Sequence, residues 1–223
     1  MTERLATLSF DDGGWQDVHV LEALNALKVA ATFYLCPGRL GRFEYHVHPD
    51  GIPPIYRGHE IGCHSWTHSE PDELADDASH EIIDARFELR RRFDQPVDAF
   101  AYPYGKPDPR LGPALAAAGF VWARTGQPTR ADALPRASRY EMPISGSYPV
   151  PPQWIDRLIN RSRYVHLYAH SYALVQERRL PRLTALIHWM RTITPPYRFV
   201  TNAEFFAATL AAAQKEMVMD AHA

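Results

Sequence analysis

Short apolar runs alternate along the chain with longer stretches in which apolar residues recur every three or four positions. The first run, Leu5 to Phe10, reads as a buried strand, and Asp17 can cap a helix to about Lys28 with Val18, Leu21, Leu24 and Leu27 on one face. AATFYLC (30–36) reads as a second strand, ended by Pro37-Gly38. HEIGCH ends a third at His64, and Pro71 opens a helix extending to about Phe93. VDAFAYP is a fourth strand, and Asp108-Pro109 starts a helix that Gly119 stops. FVWART, a helix near 154–160, RYVHLYAH, a helix over about 176–191, RFVT and a helix from Asn202 complete the series. Strands alternating with helices imply a parallel sheet with right-handed crossovers, open or closed into a barrel. Two long stretches read as loops: 38–57, rich in Gly, Pro, His and aromatics and lying over a site, and the Pro-broken 126–152.

At 223 residues the pattern fits a single domain spanning 1–223. A net charge of -2 offers no basic field for nucleic acid, and no apolar run approaches the length of a membrane span. Cys36 and Cys63 are too few for a disulfide framework. With no secretory pattern before the first strand, a full-length chain is expected in the cytoplasm.

Two acidic residues, Asp11 and Asp12, follow the first strand directly and precede Gly13-Gly14. A second polar cluster, HSWTH, places His64 and His68 just beyond the end of the third strand. Both clusters thus fall at carboxyl ends of strands, where α/β folds keep their chemistry. Neutral imidazoles suit zinc and its first-row neighbours, and Asp12 would complete a two-histidine, one-carboxylate set with positions open to water and substrate. Asp11 would then be free to act as general base on water at the metal.

SFDDG, HSWTH, FAYPYG and LYAH, in this order, resemble the motifs of the NodB-type polysaccharide deacetylase family, also called carbohydrate esterase family four. The resemblance runs from residue 4 to 206. It implies a distorted (β/α) barrel, of α/β class, and metal-dependent removal of an N-acetyl group from an amino sugar or glycan. Asp11 then corresponds to the base, and Asp12, His64 and His68 to the metal ligands. Tyr104 corresponds to the residue whose backbone N–H helps hold the oxyanion, and His170 to the general acid. Such an acid and base pair implies a bell-shaped pH dependence. Zinc fits the ligands best, with cobalt, nickel or iron as alternatives.

The chain departs from the family pattern in three places. Ala101 stands where an arginine often orients the base; Arg136 or Arg139 is the expected substitute. No Asp-x-x-Asp-Trp motif supports His170, and Asp132 and Asp156 are weak replacements. Tyr168 stands where a leucine commonly lines the acyl pocket. His46, His48 and His59 lie in or beside the first loop, and His166 reads as structural. Trp15, Tyr45, Trp66 and Tyr148 are candidates for contact with sugar faces. Alternative expectations are deformylation of a sugar, hydrolysis of a non-sugar amide or ureide, or a carbohydrate-binding module that has lost catalysis.

Overall fold

The computed structural model describes residues 3–41, 52–129, 138–148, 158 and 162–220. Its centre is β1 (Arg4–Asp12), buried from Leu5 to Asp11. Parallel partners flank it: β8 (Tyr164–His170) along one edge, and on the other β9 (Tyr197–Val200) beside Arg4 to Thr7, then β2 (Thr32–Leu35) beside Ser9 to Asp12. The sheet continues through β3 (Glu60–Cys63), β4 (Ala99–Ala101) and β5 (Trp122–Pro128). One segment then closes the ring. Its first part, β6 (Met142–Ile144), pairs with β5, and its second, β7 (Gly146–Ser147), pairs with β8. The result is a nearly closed parallel barrel with helices outside, as the sequence implied.

Strand alternation divides the side chains into two environments. Ala6, Leu8 and Phe10 of β1 join Phe33, Leu35, Ile61, Cys63, Phe100, Val165 and Leu167 in an apolar shell beneath the helices. The alternate residues face the lumen, where Leu5, Tyr34, Ala99, Trp122, Met142, Tyr164, Phe205 and Phe206 pack. Thr7, Ser9 and Asp11 belong to that inner face and make it polar toward the carboxyl end. Thr7 Oγ1 donates to Asn202 Oδ1 (2.7 Å), Asn202 Nδ2 donates to the Tyr34 hydroxyl (2.7 Å), and Ser9 Oγ lies 3.2 Å from His166 Nε2. His166 is thus structural, and burial pushes its imidazole down to about 3.

Helix α1 (Asp17–Leu27) buries Val20, Leu21 and Leu24. Val18 and Leu27, expected on that face, lie at its margins because the stripe is shifted by two residues toward Val20. Asp17 does not cap the helix: it is the first helical residue and fully buried, its carboxylate accepting hydrogen bonds from Tyr56 Oη (2.5 Å) and from Ser171 Oγ. Burial pushes that carboxyl up to about 7, against the pull of its two donors. The helix expected over 71–93 is three pieces. These are α3 (Pro71–Asp76), a π-helical turn (Ser79–Asp84) and α4 (Ala85–Phe93); a short α2 (Ile52–Ile55) precedes β3. The remaining helices are α5 (Leu111–Ala117), α6 (Ser171–Gln176), α7 (Leu180–Thr192) and α8 (Asn202–Asp220). Thus the helix expected over 176–191 starts four residues later, after a separate short one. The helix expected near 154–160 falls outside the described residues except at Leu158. None of the described helices is long and apolar enough to cross a membrane.

Gly62 in β3 has a packing reason. A Cβ there would lie 2.4 Å from the Tyr34 ring, whose hydroxyl is fixed by Asn202. Gly62→Ala should therefore lower stability by about 1–3 kcal/mol through overpacking. The expected outcome is a lower urea midpoint with an unchanged denaturant slope.

Candidate active site

Asp11 and Asp12 leave the same strand end by different means. Asp11 reaches the lumen by strand alternation, which would send Asp12 to the opposite face. Instead Asp12 adopts φ 82°, a left-handed backbone, and its carboxylate turns back toward the barrel mouth. Asp12 Oδ1 lies 3.7 Å from His64 Nε2 and 3.5 Å from His68 Nε2. One donor atom from each of the three residues lies within 4.8 Å of the others. Six further described non-glycine residues have positive φ. Lys28, Asp94 and Arg178 end helices; Ser65, His68 and Tyr104 join Asp12 at this mouth. Strained backbone gathered in one place is typical of a site whose geometry is over-determined by its surroundings.

The histidine loop is held from below. Glu81 in the π-helical turn accepts the backbone N–H groups of Trp66 (2.9 Å) and Thr67 (3.0 Å) on one oxygen and the Thr67 hydroxyl (2.8 Å) on the other. Ser65 Oγ accepts the His68 N–H at 2.8 Å. His64 Nδ1 lies 2.7 Å from the Ala101 carbonyl oxygen. Since that oxygen only accepts, the ring proton sits on Nδ1 and the Nε2 lone pair faces Asp12. Burial lowers the affinity of both imidazoles for a second proton, that of His68 to about 4 with the neighbouring His64 contributing. Burial thus favours the neutral form of both rings, the form that binds metal. Asp12 Oδ1 is buried without any hydrogen-bond partner. An orphaned carboxylate oxygen faces the His64 lone pair and, at 3.5 Å, His68 Nε2, so the donor set fits a first-row divalent ion.

Asp11 has a different partner. Arg124 Nη2 reaches both of its oxygens, at 2.5 and 2.6 Å, with both side chains buried. Burial alone would raise the Asp11 carboxyl; the guanidinium, with His64 and His170, outweighs it and holds the group below its usual value. Arg124 itself sits between Tyr34 and Tyr168, 4.9 Å from each ring centroid. The arginine anticipated at 136 or 139 is thus supplied from β5. Arg136 lies outside the described residues, and Arg139 is exposed. A signal for Arg124 was present in the sequence. It stands two residues after Trp122 on an inward-facing strand register, and a charge there requires a buried counter-charge.

The remaining groups surround this centre. His170, at the end of β8, places Nε2 3.7 Å from Asp12 Oδ2. Tyr104 is exposed, its ring 4.7 Å from that of His68. Its turn is closed by Gly105 N–H to the Tyr102 carbonyl and Lys106 N–H to the Pro103 carbonyl, bonds in which the Tyr104 N–H takes no part. Trp15, Tyr104 and Tyr172 are exposed aromatics, whereas Tyr148 is buried and Tyr45 is outside the described residues. Of the loop histidines, His59 is buried and hydrogen-bonded through Ala31 and Asn25; His46 and His48, like Asp132 and Asp156, fall outside the described residues. Cys63 is a buried filler of the shell.

The chain belongs to the polysaccharide deacetylase family, whose sequence profile matches residues 1–123. Among curated proteins none matches the chain. Its fold is that of several solved structures. A family 4 acetyl xylan esterase from Clostridium thermocellum, in complex with a cobalt ion, is 23% identical with a TM-score of 0.64, covering 92% of this chain and 91% of that one. The Xyl-CE4 domain of a multidomain xylanase from the hindgut metagenome of Trinervitermes trinervoides is 18% identical, TM-score 0.63, over 93% and 91%. A family 4 pseudoenzyme, solved as a mutant with restored activity, is 18% identical, TM-score 0.61, over 92% and 68%.

Removing one partner of a buried pair leaves the other uncompensated. Arg124→Met should cost about 3–5 kcal/mol of stability. Adding Asp11→Asn in the same chain should recover part of that loss, giving a coupling energy well above that of an exposed pair. Denaturant unfolding of the four proteins of the double-mutant cycle measures it.

Proposed function

We propose that this protein is a metal-dependent hydrolase that removes an acyl group, in the first place N-acetyl, from an amino sugar or glycan. The observation that carries the reading is the division between two adjacent carboxylates. Asp12 is orphaned among two neutral imidazoles, while Asp11 is held ionised by Arg124. Zinc suits Asp12, His64 and His68, with cobalt, nickel or iron as alternatives; the cobalt ion in the Clostridium thermocellum relative supports a first-row metal. Bound there, the ion would polarise the scissile carbonyl and stabilise charge on its oxygen.

The chain's own groups supply the proton transfers. Asp11 takes a proton from the attacking water as the new C–O bond forms. Its pairing with Arg124 keeps it ionised for that task and fixes its orientation. The Tyr104 N–H donates to the developing oxyanion. As the C–N bond breaks, His170 delivers a proton to the departing amine. It ends β8 opposite Asp11 in the strand register, with Nε2 3.7 Å from Asp12 Oδ2. Exposed Trp15, Tyr104 and Tyr172 offer apolar ring faces to a sugar. One family member of similar fold is a pseudoenzyme, which makes a binding module that has lost catalysis the competing reading; the presence of all these groups here weighs against it.

With zinc or cobalt supplied, release of acetate from N-acetylglucosamine oligomers should exceed release from acetylated xylan, with formyl and ureide substrates as comparisons. Asp11→Asn should lower kcat by about 10²–10⁴ while the metal content stays at that of the wild type. His64→Ala should lose the metal itself, as elemental analysis would show. Full activity in Asp11→Asn would remove it as the base, and sugar affinity without turnover in the metal-loaded wild type would favour the binding module.

A further inference from the structure

His170 is poorly held by its own side chain. Among the described residues nothing hydrogen-bonds its ring, and its near neighbours are the Tyr168 and Tyr172 rings, at 5.8 and 5.1 Å between centroids, and the Asp12 carboxylate. Among the described residues, what fixes its orientation is its backbone. The next residue, Ser171, begins α6 and is buried, and its hydroxyl is donated to Asp17 Oδ1. The other Asp17 oxygen is occupied by the buried Tyr56 hydroxyl at 2.5 Å. Asp17 in turn opens α1, its N–H bonded to the Gly14 carbonyl within the turn that carries Asp12. One buried carboxylate thus ties the end of β8 to the turn after β1, across 154 residues of sequence.

The hydrogen bonds already described leave this carboxylate out of the mechanism. A buried acid is costly to keep, and a purely packing role would not call for one. From this geometry we propose that Asp17 is a positioning residue for the proton donor: through Ser171 it fixes the backbone of His170 so that the imidazole meets the departing amine. The inference rests on the proposed hydrolase reading and on His170 as its acid. It fills, from α1, the place for which the sequence offered no convincing candidate.

A general acid is needed when the leaving group is an amine, and hardly at all when it is a 4-nitrophenolate, which departs without a proton. The test therefore compares an N-acetylglucosamine oligomer with 4-nitrophenyl acetate, using metal-loaded wild type, Ser171→Ala, Asp17→Ala and Asp17→Asn. Displacing a reacting group by a fraction of an ångström to an ångström costs up to about a hundredfold. For Ser171→Ala and Asp17→Ala, kcat on the amide should fall about tenfold to a hundredfold at constant KM, with less than about a threefold change on the ester. Asp17→Asn keeps an acceptor oxygen for Ser171 and should retain amide kcat within about threefold of wild type. Ser171→Ala leaves α6 and α1 intact, so it reports even where Asp17→Ala folds poorly. Equal losses on both substrates, or an unchanged amide kcat in Ser171→Ala, would overturn the positioning role while leaving the hydrolase reading intact. A wild type inert on both substrates would overturn the hydrolase reading, and this proposal with it.

Discussion

A guanidinium and a carboxylate, both inside the barrel and paired at 2.5 to 2.6 Å, set the terms for everything at its mouth. An unpaired charge in that position would be neutralised or would drive the site open. With Arg124 in place, Asp11 stays ionised although buried, and its oxygens are turned toward β5. Asp12 is thereby left as the carboxylate close to both imidazoles, while Asp11 Oδ2 lies 3.9 Å from His64 alone. The same pair explains the inner face of the barrel. Tyr34 and Tyr168 cover the guanidinium, Gly62 makes room for Tyr34, and Asn202 fixes the Tyr34 hydroxyl.

The backbone completes what the charge pair begins. A strand can present only every second side chain to one face, yet two consecutive acids meet at one centre here. The positive φ of Asp12 resolves this conflict, and the following Gly13, at φ 74°, continues a turn that few other residues tolerate. Ser65 and His68 repeat the device in the second loop, where Glu81 offsets part of the strain by accepting three hydrogen bonds. The π-helical turn carrying Glu81 divides the segment between α3 and α4, which explains why a single regular helix does not form there.

The order of strands and helices was legible in the sequence because strand and helix periodicities are local. So was the meeting of Asp12, His64 and His68, since each follows a readable strand end. What was not legible depends on long separations. Arg124 reaches Asp11 across 113 positions, and no spacing rule connects them; only the inward register of a charged strand residue hinted at it. The closing segment 142–147 is too short and too broken by Pro143 and Gly146 to show strand alternation. Asp17 looked like a helix cap because acidic residues at helix starts usually are. Its burial against Tyr56 and Ser171 follows from the packing of α1 on α6 and on the Tyr56 side chain just after α2, which composition does not reveal.

The most direct test is anomalous diffraction from crystals of the zinc- or cobalt-loaded protein. The account predicts one peak at about 2.0–2.2 Å from an Asp12 oxygen and from the Nε2 atoms of His64 and His68, with Asp11 still paired to Arg124. A peak ligated by Asp11 with the guanidinium displaced, or no peak among these residues at saturating metal, would contradict it.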